Sequence, residues 1–130
     1  MDTIEGQCAH LIFHSDNVNG LQEILLQLSP KEIYVFPTKL VPKADRTFLM
    51  ACAKKGRVEC CKLILSLDSA NSINNQNGQG YTALHYASYE GNIEVALLLL
   101  AAGADVELRN VHNETAYETA ISGKQYKLLE

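Results

Sequence analysis

Asn77-Gly-Gln-Gly-Tyr-Thr-Ala-Leu-His-Tyr-Ala-Ser-Tyr-Glu-Gly-Asn-Ile-Glu-Val-Ala-Leu-Leu-Leu-Leu-Ala-Ala-Gly-Ala-Asp105 decides the fold, because its pattern restarts 33 residues further along the chain. Asn77, Thr82, Ala83 and Ala87 recur as Asn110, Thr115, Ala116 and Ala120. Self-similarity at this spacing predicts a stacked solenoid, in which each unit leans on its neighbours, rather than a globule around one closed core.

Thr82 is placed to cap a short helix, its hydroxyl taking up a backbone N–H that has no partner within the helix. Gly91 then ends that helix, since glycine closes a helix in the left-handed conformation at little steric cost. A second helix starts near Asn92 and carries Val95, Ala96, Leu98, Leu99 and Leu100, too many apolar positions for a helix in water on most sides. Gly103 ends it. Helices this short are marginal alone, so their stability must come from neighbouring units covering the apolar faces.

Taken together, the polar turn, Gly80, the Thr82-x-Leu84-His85 run, Gly91, the leucine-rich helix and Gly103-Ala-Asp105 resemble an ankyrin repeat. The resemblance implies an all-α solenoid of stacked helix-turn-helix units with extended turns between them. It also implies that His85 is structural, its ring bonding to turn backbone of the adjoining unit, and that Tyr86 packs.

The unit before it follows with a step of 35: Arg46 to Gly56 aligns with Tyr81 to Gly91, and Thr47, Leu49 and Gly56 keep their places. Asp45 replaces the glycine and Met50 the histidine, which predicts a distorted turn. Upstream, Cys8 to Asp16 and then Val18, Leu21, Ile24, Leu25 and Leu28 have the apolar spacing of two more short helices, with His10 at the place of His85. Ser29 to Arg46 holds all three prolines, which break helices. Ile33 to Phe36 within it is expected to fold back on the first helices. At the far end Asn113 replaces glycine, Tyr117 leucine and Glu118 histidine.

The chain thus divides into a degenerate capping unit (1–28), a proline-containing connection (29–45), a repeat (46–76), the best-matching repeat (77–109) and a truncated unit (110–130). Gln125 to Glu130 offers barely two turns of a last helix, so we expect the sequence to be an amino-terminal part of a larger protein.

At 130 residues and 47% hydrophobic content the composition is that of a soluble globular domain. No run of eighteen apolar residues is present, and Met1 to Glu5 lacks the basic start of a secretory signal. Cys8, Cys52, Cys60 and Cys61 have no paired spacing, so reduced buried thiols and a cytoplasmic or nuclear setting are expected. Cys8, His10 and His14 form a poor zinc spacing with no fourth ligand, and Cys60-Cys61 beside Lys62 is alternatively read as a redox-sensitive thiol, since a nearby cation favours thiolate.

Catalytic signatures are missing: there is no G-x-S-x-G, no G-x-x-x-x-G-K, and Gly78-Gln-Gly80 lacks the third glycine of a dinucleotide loop. The sequence therefore predicts no enzyme, no cofactor and no nucleic-acid readout. The net charge is −4, but residues 31–62 hold eight cations against three anions. That basic segment suits an acidic partner.

The resemblance places partner contacts on a concave face made of turn tips and first helices. The matching positions are Gly78, Gln79, Tyr81, Tyr89 and Glu90 in the best-matching repeat. In the unit before they are Lys43, Ala44, Arg46, Lys54 and Lys55, and in the unit after Val111, His112, Glu114 and Ser122. From these, Lys43, Arg46, Lys54, Lys55, Gln79, Tyr81, Tyr89, Glu90, His112 and Glu114 are the candidate contacts. Aromatic anchors beside cations fit an acidic, partly apolar peptide or protein surface. Alternative readings are a small freestanding inhibitor, the regulatory or targeting part of an enzyme or lipid-handling protein, and an anionic-lipid binder acting through Lys43 to Lys62.

Overall fold

The computed structural model describes residues 3–14, 17–27, 45–67 and 72–123. Lys43, the Ile33 to Phe36 strip and the Gln125 to Glu130 segment lie outside the described residues. Within them the helices are α1 (Ile4–His14), α2 (Val18–Leu25), α3 (Phe48–Lys55), α4 (Val58–Ser66), α5 (Ala83–Glu90), α6 (Ile93–Ala101) and α7 (Ala116–Ser122), with a short 3-10 turn at Ser72–Asn74.

They form two layers. First helices α1, α3, α5 and α7 pack in a row, and second helices α2, α4 and α6 pack behind them. Each unit therefore buries its apolar face against the next, as the 33-residue period requires. The first-helix layer is closely packed because it is built from small residues: Ala51, Ala53, Ala83, Ala87, Ala116 and Ala120 are all buried. Phe48, Leu49, Met50, Ile64, Val95 and Leu99 fill the space between layers. The four cysteines are buried and in no disulfide, which does not favour Cys60-Cys61 as an accessible redox-sensitive site.

The expected caps are present. Thr47, Thr82 and Thr115 each accept a backbone N–H three residues on. Gly56 and Gly91 close α3 and α5 with φ of 70° and 73°. Asn113, standing where Gly80 stands one unit earlier, also takes a left-handed φ of 60°.

Three expectations are modified. The turn at Asp45, expected to be distorted, is tied to the next unit, its carboxylate Oδ2 accepting the Gly78 N–H at 2.9 Å. His10 is exposed and does not repeat the buried role of His85. Helix α6 is covered on fewer sides than its composition suggests: Leu99 is buried, Leu98 is half-buried, and Leu97 and Leu100 are exposed.

Candidate interaction face

The turns ahead of α5 and α7 are fixed by their asparagines. Asn77 Oδ1 accepts the N–H groups of Gln79 and Tyr81, and Asn110 Oδ1 accepts those of His112 and Glu114. The turns are then joined to one another. Asn77 Nδ2 donates to the Asp45 carbonyl at 2.7 Å, and the Val111 N–H donates to the Gln79 carbonyl at 2.8 Å. Gln76 Nε2 bridges the carbonyls of Gly80 and Arg109. The tips that carry Gln79 and His112 are exposed but held by backbone on both sides.

His85 links these turns to the helices. Its Nε2 donates to the Glu114 carbonyl at 2.9 Å, while Nδ1 accepts the Thr82 N–H at 3.2 Å and lies 2.8 Å from the Thr82 hydroxyl. Burial lowers its pKa, a shift opposed by the bond to Glu114. Both ring nitrogens are thus engaged with backbone or capping groups, an arrangement suited to joining units.

Among the predicted contacts, Tyr81 and Tyr89 differ in role. The Tyr81 ring lies 5.4 Å from that of Tyr86 and 5.7 Å from that of His85, half-buried in an aromatic group. Tyr89 is 47% exposed and lies close to Gly123, so one side of its ring is available. Tyr86 itself is fixed, its hydroxyl accepting from Asn77 Nδ2 at 2.9 Å, and burial raises its pKa.

The charged positions are less uniform than their sequence suggests. Lys54 and Glu90 pair with each other across units at 3.0 Å. Glu114 is half-buried, and its carboxylate accepts the Ser122 hydroxyl at the end of α7 and Asn110 Nδ2 in the turn, so it joins the two. Arg46 is half-buried with its guanidinium carbon 5.9 Å from the Tyr86 ring centroid. Sequence reasoning missed this floor under Arg46. The signal was that Arg46 holds the place of Tyr81 one unit earlier, which sets it one unit away from Tyr86.

Other chemistry finds little to build on. Among the described residues no three of His, Cys, Asp and Glu lie where they could hold a metal ion, and no helix is long and apolar enough to cross a membrane. A shallow groove of about 310 Å³ runs between the starts of α4 and α6, lined by Gly56, Val58, Gly91, Asn92, Ile93, Glu94 and Val95. It begins at the glycines that follow Lys55 and Glu90 and gathers no set of catalytic groups.

A family model described as ankyrin repeats, in three copies, matches residues 10–110. The human Notch-regulated ankyrin repeat-containing protein is 31% identical over 83 residues, 63% of this chain and 73% of that protein. Human ankyrin repeat domain-containing protein 49 is 33% identical over 76 residues, 58% of this chain and 31% of that protein. Alpha-latrotoxin-Lt1a of Latrodectus tredecimguttatus is 41% identical over 59 residues, which are 45% of this chain but 4% of the toxin. Two of these three relatives are thus matched over well under two thirds of their length. Among solved structures, a chain in the crystal structure of the yeast ribosomal protein Rps3 in complex with its chaperone Yar1 superimposes with a TM-score of 0.81. It is 26% identical, with 95% of this chain and 87% of that chain covered.

Proposed function

Because this chain belongs to the ankyrin repeat family, whose repeats generally serve as protein-interaction modules, we propose that it is a non-enzymatic module binding a protein through its concave face and turn tips. The observation that carries this reading is the contrast within one helix. On α5 the residues Ala83, Leu84, His85, Ala87 and Ser88 are buried in the stack, while Tyr89 and Glu90 stand out from it. A rigid row of helices with variable exposed ends suits recognition rather than catalysis.

The partner is an acidic, partly apolar peptide or surface lying across the repeats of Arg46 and Tyr81. Tyr81, Tyr89, Gln79 and His112 supply contact area, and Arg46, Lys43, Lys54 and Lys55 supply positive charge. Lys54 brings its charge with Glu90 attached, and Glu114 contributes a turn more than a free carboxylate. The likeness to a chain from a chaperone complex supports protein binding of this kind. Four buried thiols outside any disulfide support a reducing, cytoplasmic or nuclear setting. Within a longer protein the same face would act as a targeting or regulatory part. The anionic-lipid reading has less support, since Lys54 and Lys62 are each paired with a glutamate.

The test is a pull-down comparing the parent chain with a Tyr81/Tyr89/Lys54/Lys55 quadruple alanine variant. A protein captured by the parent should be lost from the variant while thermal melting is little changed. Equal capture by both would remove this face as the site.

A further inference from the structure

Arg46 differs from the other cations whose contacts are defined. Lys54 has the Glu90 carboxylate at 3.0 Å, Lys62 has that of Glu59 at 3.4 Å, and Arg109 has that of Glu118 at 3.0 Å. The Arg46 guanidinium has no such carboxylate among the described residues and rests instead on Tyr86. Among the described residues its neighbour Asp45 makes no ion pair with it; the Asp45 carboxylate accepts the Gly78 N–H.

This setting suits an anion. A guanidinium presents a planar fork of N–H donors that matches a carboxylate at two points, and the Tyr86 ring at 5.9 Å attracts the cation without using any of those donors. The floor is itself rigid, since Asn77 Nδ2 holds the Tyr86 hydroxyl and donates to the Asp45 carbonyl as well. Along the stack, Arg46, Tyr81 and Glu114 occupy one position in three successive units. The row therefore runs from cation through aromatic ring to carboxylate, and only its first end attracts an anion.

Resting on the reading that this face binds a protein, we propose that Arg46 on its Tyr86 floor receives, as a two-point fork, the carboxylate of an Asp or Glu side chain in the partner. An adjoining apolar residue of the partner then lies against Tyr81. Lys54, already paired, is not the anchor. The bound segment is accordingly oriented, with its acidic end over the first of the three units.

A fluorescently labelled peptide of alternating glutamate and tyrosine, and a matched one of lysine and tyrosine, serve as probes for anisotropy titration of the full chain. The acidic probe should bind saturably and the basic one should not. Arg46→Lys and Arg46→Ala should both weaken binding by about tenfold or more, because a lysine keeps the charge but not the fork. Lys54→Ala should produce no comparable loss. Melting curves of the Arg46 variants show that the stack is retained. Parental affinity in Arg46→Lys, with Tyr89→Ala still weakening the probe, overturns the anchor and leaves the interaction face standing. Absence of saturable binding to the parent overturns the anchor and the acidic-partner reading together.

Discussion

The His85 imidazole and the Glu114 carbonyl lie 2.9 Å apart, and this bond ties the first helix of one unit to the turn of the next. A carbonyl can only accept, so Nε2 carries the proton and Nδ1 is left to accept from Thr82. Protonating Nδ1 would set it against the Thr82 N–H. The neutral ring is therefore the one that fits.

Acid should loosen this joint before the rest of the stack. Burial holds the folded pKa of His85 below its ordinary 6.5. Below that value the unfolded chain binds the proton more readily, so stability falls as pH drops toward the folded pKa. The melting temperature should decline below about pH 6.5 in the parent, and a His85→Gln variant should show a flatter slope there. Equal slopes would exclude His85 as the cause. Glu118, held below its ordinary value of 4.5 first by the Thr115 N–H and then by the Thr115 hydroxyl, adds a second decline under more acidic conditions.

Two leucines of α6 should separate scaffold from surface. Leu99 is buried and Leu97 is 61% exposed. Leu99→Ala should cost about 2 to 5 kcal/mol in denaturant unfolding. Leu97→Ala should stay within about 0.5 kcal/mol. Comparable losses at both sites would contradict the two-layer packing.

Gly80 and Gly103 make a second matched pair. Both have left-handed backbones, with φ of 76° and 95°. A Cβ on Gly80 would stand 2.8 Å from the Asn110 Cα, while one on Gly103 would meet nothing within 4 Å. Gly80→Ala should therefore lower the melting temperature clearly more than Gly103→Ala, which carries about 1 kcal/mol of backbone strain alone. A reversed order would mean that the turns of adjoining units are not in contact at Gly80.

Tyr89 is the predicted aromatic contact least needed by the fold, since nearly half of it is exposed. Tyr89→Ala should weaken partner binding by about 1 to 3 kcal/mol in a titration. Unchanged affinity would remove Tyr89 from the contact surface.

Much of this was legible from one repeat. The threonine caps and the closing glycines follow from local backbone needs that the residues themselves announce, and the structural role of His85 from the family resemblance. Asn113 was visible as a replacement for glycine, and asparagine tolerates the left-handed backbone it adopts. Contacts across units were less legible, because they depend on how neighbouring helices dock. Lys54 and Glu90 appeared as separate surface charges although they form a pair, and the Arg46 contact with Tyr86 showed only in that Arg46 holds the place of Tyr81 one unit earlier. Residues 29–44 and Gln125 to Glu130, for which the sequence raises expectations, lie outside the described segments.

Asn92 Nδ2 donates to the carbonyls of Ala53 and Lys54, at 2.7 and 3.2 Å. The last turn of α3 is thus completed by a side chain supplied 38 and 39 positions later in the chain. A fragment cut off at Gly91 would lose more than its downstream half: the carbonyl groups it keeps would be stripped of their donor. The segments are mutual lodgers, and a ribosome that has made only the earlier ones has yet to deliver a piece those helices require.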